Sequence, residues 1–143
     1  MKSILSKCYT GTNVSLVNDL LKTYEEQMFA VVNFLYFAQI ISQRLFEEGK
    51  DKTEKQREYK KILLKADYLL PDGIALQIFY YLANLFKGIH SSKRWLDNLN
   101  GTDFTLYFLN EVKKRYGNQK ICLLLYGAPP KGIEKASEYI AHQ

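Results

Sequence analysis

A chain of 143 residues with 47% hydrophobic and 14% aromatic content has enough apolar material for one domain with its own core, and too much for a disordered protein. Twenty Lys and Arg against 15 Asp and Glu give a formal charge of +5, a mild excess that suits a solvated surface and equally an anionic substrate or a lipid headgroup layer. No segment combines a basic stripe with a binding motif for nucleic acid, so no nucleic-acid partner is expected.

Apolar patterning gives the elements in chain order. A weak strand is predicted over residues 3–9. Asn13 or Ser15 can cap a helix that carries Leu16, Leu20, Leu21 and Tyr24 on one side. The run Phe29-Ala30-Val31-Val32-Asn33-Phe34 reads as a strand with Asn33 near its carboxyl end, where an amide either lines a pocket or caps the following helix. Residues 36–48 hold Phe37, Ile40, Ile41 and Leu45 at helical intervals, and Thr53 or Glu54 opens a charged helix that buries Tyr59, Ile62 and Leu63.

Tyr68-Leu69-Leu70 is a short buried strand that breaks at Pro71-Asp72-Gly73 into an apolar segment over residues 74–86. That segment is too short to span a bilayer and fits a buried core helix, with Phe79, Tyr80 and Tyr81 read as core in preference to a ligand platform. Residues 102–116 form a helix whose apolar face holds Phe104, Leu106, Phe108, Leu109 and Val112 and which stops at Gly117. Ile121-Cys122-Leu123-Leu124-Leu125-Tyr126 reads as a further strand, and residues 131–141 close the chain as a helix.

Apolar strands that do not alternate, each followed by a helix, predict a single α/β domain over residues 1–143, with a largely parallel sheet covered by helices on both faces. Cys8 and Cys122 follow no CxxC or metal spacing and read as thiols in a reducing cytoplasm. His90 and His142 have no partner at metal-site spacing, so no metal is expected. The first seven residues are too short and too polar for a secretory signal.

Three places could do chemistry. In open α/β sheets the ligand crevice lies outside the carboxyl ends of the strands. Asp72 is placed there, beside a glycine that lets backbone approach closely. Its carboxylate is either an acid–base group or the cap of the next helix. Asn98-Leu99-Asn100-Gly101-Thr102-Asp103 precedes a helix, and Thr102 or Asp103 can satisfy its free N–H groups. In Leu123-Leu124-Leu125-Tyr126-Gly127-Ala128-Pro129-Pro130-Lys131-Gly132 a strand breaks into a helix whose amino end either holds a phosphate or forms a plain turn. The spacing of Gly127 and Gly132 fits neither the dinucleotide fingerprint nor a P-loop.

Three motifs, in this order, resemble the bacterial WecG/TagA/CpsF glycosyltransferases (glycosyltransferase family 26). They are Ala66-Asp67-Tyr68-Leu69-Leu70-Pro71-Asp72-Gly73-Ile74-Ala75, then Asn100-Gly101-Thr102-Asp103-Phe104, then Leu124-Leu125-Tyr126-Gly127-Ala128-Pro129-Pro130-Lys131-Gly132-Ile133-Glu134-Lys135-Ala136. The resemblance implies a Rossmann-like fold and inverting transfer of N-acetylmannosamine, or a related hexose, from a UDP donor. The implied acceptor is an amino sugar on undecaprenyl pyrophosphate, in cell-surface polysaccharide or teichoic-acid synthesis.

By the same resemblance no metal is required and Asp72 is the general base. Asn33, Gly73, Asn98, Gly101, Thr102, Asp103, Gly127 and Pro129 are the implied substrate-binding residues. A cytoplasmic enzyme is implied, peripheral at the inner face of the membrane. A homo-oligomer formed through residues 79–86 or a Tyr-rich surface is compatible with it. The chain departs from the family pattern in three respects. Asn33-Phe34-Leu35-Tyr36 stands where the family has Thr-x-Asn-x, and Asn98 stands where an Arg is common. The family's C-terminal portion is expected to be missing, which leaves a second reading: a vestigial, non-catalytic UDP-binding or structural relic.

Overall fold

The computed structural model describes residues 4–47, 52–87, 95–117 and 130–141. A 3-10 turn at Ile4–Lys7 leads into α1 (Asn13–Glu25), β1 (Val32–Tyr36), α2 (Phe37–Ser42), α3 (Glu54–Lys65), β2 (Tyr68–Asp72) and α4 (Ile74–Lys87). Then come α5 (Gly101–Tyr116) and α6 (Pro130–Ala141). The fold is mixed α/β with a parallel sheet. The predicted strand over residues 121–126 lies outside the described residues.

β1 and β2 pair in parallel, in register from Val32 opposite Tyr68 to Tyr36 opposite Asp72. Parallel neighbours need a long crossover, and α2 and α3 lie in it. The other edge of β2 meets the chain's start. Residues 4–7 curl into a 3-10 turn instead of the predicted strand, and only Cys8 bridges to Leu69, with the Tyr9 N–H donating to the Leu69 carbonyl at 2.7 Å. Strand residues two apart direct their backbone groups to the same edge, so Pro71 also faces away from β1. Its missing N–H therefore costs the β1–β2 ladder nothing. Its carbonyl accepts the Leu99 N–H at 2.9 Å.

Helices cover both faces of this sheet. One cluster joins Leu35 and Leu69 to Ile4, Leu5, Ile40 and Leu45, and to Leu63 of α3 and Leu76 and Tyr80 of α4. The other sets Leu70, with Val32, Phe34 and Tyr68 packed around it, against Leu16, Val17 and Leu21 of α1 and Phe104 of α5. Alternation along β2 puts Leu69 in the first cluster and Leu70 in the second, as a strand buried on both sides requires.

Several local expectations change. Thr12, not Asn13 or Ser15, caps α1, its hydroxyl accepting from Ser15 N while the Ser15 hydroxyl accepts from Thr12 N. Thr53 does cap α3, yet Ile62 stays exposed beside buried Leu63. The helix predicted over residues 36–48 stops at Ser42 because Arg44 turns left-handed, at φ 49°, and the Leu45 N–H returns to the Ile40 carbonyl. α4 is not a buried core helix. Leu76 and Tyr80 are buried and Phe79 packs on Phe37 and Phe46, but Tyr81 and its neighbours on the opposite side face solvent. Among the described residues no helix is long and apolar enough to cross a membrane.

Candidate functional site

β2 ends at Asp72 and α4 starts at Ile74, so Gly73 alone turns the chain. Its φ of +87° is a conformation L side chains rarely adopt, which explains the glycine at this position. The Gly73 carbonyl accepts the first N–H groups of α4, from Leu76 at 3.1 Å and Gln77 at 3.4 Å. The Gly73 N–H donates to Asn98 Oδ1 at 2.8 Å. Asn98 and Leu99 thus strap the segment before α5 onto the carboxyl end of β2. Deeper in, buried Gln77 donates from Nε2 to the Leu96 carbonyl at 2.6 Å and fixes the same segment to α4.

This strap delivers the amino end of α5 to the Asp72 end of the sheet. Asn100 is the cap: Oδ1 accepts from Asp103 N at 2.8 Å, and Nδ2 donates to Asp103 Oδ2 at 2.6 Å. Thr102, expected as a cap, sits inside the first turn instead. Asp103 contributes its N–H and its carboxylate to the Asn100 cap. A Cβ on Gly101 would meet the Phe34 ring at 3.6 Å, and Phe34 in turn packs on Phe104 at 6.4 Å between centroids. These contacts hold the helix terminus over β1.

Asp72 itself is half-buried and shares a sheet face with Leu70, on the side covered by α5. Its carboxylate takes no hydrogen bond or ion pair from the described residues, because the turn into α4 is closed by Gly73 and Asn98. A capping role is therefore not what Asp72 performs. What remains is the carboxylate of a half-buried residue at a strand's carboxyl end, between an exposed amide, Asn98, and a helix amino end. Such a group can accept a proton from a hydroxyl brought within hydrogen-bond reach.

The structure thus gathers Asp72, Gly73, Asn98, Gly101, Thr102 and Asp103 at one end of the sheet. Asn33 is not among them. β1 extends to Tyr36, so Asn33 is its second residue, opposite Leu69, three positions or roughly 10 Å short of the Asp72 level. Leu35, where the family pattern has an amide, is wholly buried in the core. Gly127 and Pro129 lie outside the described residues. Among the described residues no cluster of three or more His, Cys, Asp or Glu could hold a metal ion.

Sequence reasoning passed over Asn100 and Gln77. Asn100 carries a readable signal, the cap spacing Asn-x-x-Asp before an apolar run. Gln77, an amide in an apolar helix, carries no signal that names Leu96 as its partner. No protein-family model, no curated protein and no solved structure matches the chain.

Proposed function

We propose that this chain is a Rossmann-like glycosyltransferase domain of the kind its three motifs resemble. It transfers N-acetylmannosamine or a related hexose from UDP to a polyprenyl-pyrophosphate-linked amino sugar, in the cytoplasm at the inner membrane face. Asp72 is the base. It removes the proton of the acceptor hydroxyl as that oxygen bonds to the anomeric carbon, the bond to UDP breaks, and the anomeric centre inverts. The amino end of α5 supplies N–H groups and a positive dipole end for the pyrophosphate, which needs no metal.

The observation that carries this reading is the Asp72 carboxylate, without a partner among the described residues, set at a parallel strand's carboxyl end next to the Asn98–Gly73 strap and the α5 terminus. The test is transfer from UDP-N-acetylmannosamine to a short-chain polyprenyl-pyrophosphate-linked N-acetylglucosamine. Asp72→Asn should lose at least about 100-fold in rate, the scale of general-base catalysis, with an unchanged circular dichroism spectrum. A variant that transfers at the wild-type rate removes Asp72 from the role.

A second reading has its own support. Leu35 is buried where the family pattern has an amide, and Asn33, at the position of the pattern's Thr, lies well short of the Asp72 end of the sheet. A relic that binds UDP without turnover accounts for both. Calorimetric binding of UDP with no transfer by the wild-type chain would select it.

A further inference from the structure

α4 is polarised the wrong way for a helix facing water. From Ile74 to Phe86 it carries no charged residue. Its two amide side chains are turned inward: Gln77 is buried on Leu96, and the Asn84 side-chain nitrogen and oxygen are both buried with no partner among the described residues. Its solvent side is apolar instead. Ile74, Ile78, Tyr81, Leu82, Leu85 and Phe86 recur at three- and four-residue steps along one stripe and are 36% to 82% exposed. Trp95, itself 42% exposed, adds its ring at 5.8 Å from Tyr81. A helix that is apolar all round is ordinarily covered all round.

We propose that this stripe is covered by the same stripe of a second copy, in a two-fold dimer that pairs α4 with α4 antiparallel. The area fits. At about 200 Å² for a fully exposed large side chain, the stripe and Trp95 present roughly 700 Å², close to the ~800 Å² per partner of a standard stable interface. The charge pattern fits too. A two-fold contact sets each patch against itself, so any charge on it would meet its own sign, and this patch has none. Basic residues do flank the stripe in the sequence, Lys87 after Phe86 and Lys93-Arg94 before Trp95, so a lipid surface is the occupant that the test must separate from a second copy.

Centred on Tyr80, an antiparallel pair sets Ile78 against Leu82 of the partner subunit and Ile74 against Phe86 of the partner subunit. Ile74 directly follows Asp72-Gly73, so the dimer brings the far end of one α4 to the edge of the other copy's site.

Sedimentation velocity on the full chain from 1 to 100 µM tests this. The expected species has twice the 16.7 kDa chain mass. Ile78→Asp and Leu82→Lys should each weaken self-association at least tenfold, and mixing the two variants should restore a heterodimer, because Asp then faces Lys while the other contact stays native. Should either variant lose its circular dichroism spectrum, wild-type dilution decides: emission of Trp95, the single tryptophan, should shift to the red as the dimer dissociates. A wild-type monomer at 100 µM overturns the proposal. So do folded variants that still dimerise as wild type does. A monomer that instead pellets with phosphatidylglycerol vesicles, and loses this with Ile78→Asp, assigns the stripe to a lipid surface and also overturns it.

Discussion

Asn98 Oδ1 accepts the N–H of Gly73 at 2.8 Å, tying two segments 25 positions apart at the end of β2. The bond satisfies the Gly73 N–H, which the helix itself cannot use, and it fixes Asn98 beside Asp72. In the resemblance this position is one where an Arg is common. Here the side chain supplies an acceptor to the turn in place of a cation to a phosphate.

Asn98→Ala should therefore lower stability by about 1 kcal/mol, the net worth of one hydrogen bond plus a donor left without it. Gly73→Ala should cost more than the usual Gly→Ala change. No atom would touch the new Cβ, so the whole penalty of about 1–2 kcal/mol comes from holding Ala at φ +87°. Gly73→Asn should recover part of it, since Asn tolerates positive φ. Urea midpoints of the three variants check the order.

Gln27 offers the opposite sign. It ends α1 at φ 57°, with its N–H on the Tyr24 carbonyl and the Met28 N–H on the Thr23 carbonyl, the double bond pattern of a Schellman cap in which glycine is usual. Gln27 is exposed. Gln27→Gly should stabilise the chain by about 1 kcal/mol through relief of the left-handed strain. A lowered thermal midpoint would show that the Gln side chain does something the backbone does not explain.

Burial pushes the Cys8 thiol from its ordinary 9.0 up to about 12. In the unfolded chain the thiol ionises above about pH 9, whereas the folded state keeps its proton. The unfolded state then binds fewer protons, and stability falls as pH rises. The contribution is whole below pH 9 and is lost between 9 and 12. Wild type should lose stability across that window more steeply than Cys8→Ala, with tyrosine ionisation common to both. Parallel slopes would mean that Cys8 is not sealed from solvent.

The two paired strands and the turn from β2 into α4 were legible. Tyr68-Leu69-Leu70 before Pro71-Asp72-Gly73 marks β2 and its turn because a buried parallel strand must be apolar throughout and must break sharply. Gly117, at φ 59°, marks the end of α5 in the same way. The helix ends at Gln27 and Arg44 were illegible, since neither residue signals a left-handed cap. At Arg44 the turn serves Leu45, whose complete burial against Ile40 outweighs the strain. Asn33 was misplaced by two residues of strand boundary, enough to move it from the sheet's mouth to the second residue of β1. The open face of α4 was hidden for a different reason: an apolar run reads as buried whether its own chain or another covers it.

The Asp72 end of this sheet is proposed as a UDP-sugar site. Titration calorimetry of the full chain with UDP, without added metal, tests it most directly. Saturable binding of UDP is expected, with no binding of ATP or NAD under the same conditions and with UDP binding surviving in Asp72→Asn, because the base serves the acceptor and not the donor. No heat with UDP, from a chain whose circular dichroism shows it folded, would rule out a UDP-sugar site at Asp72.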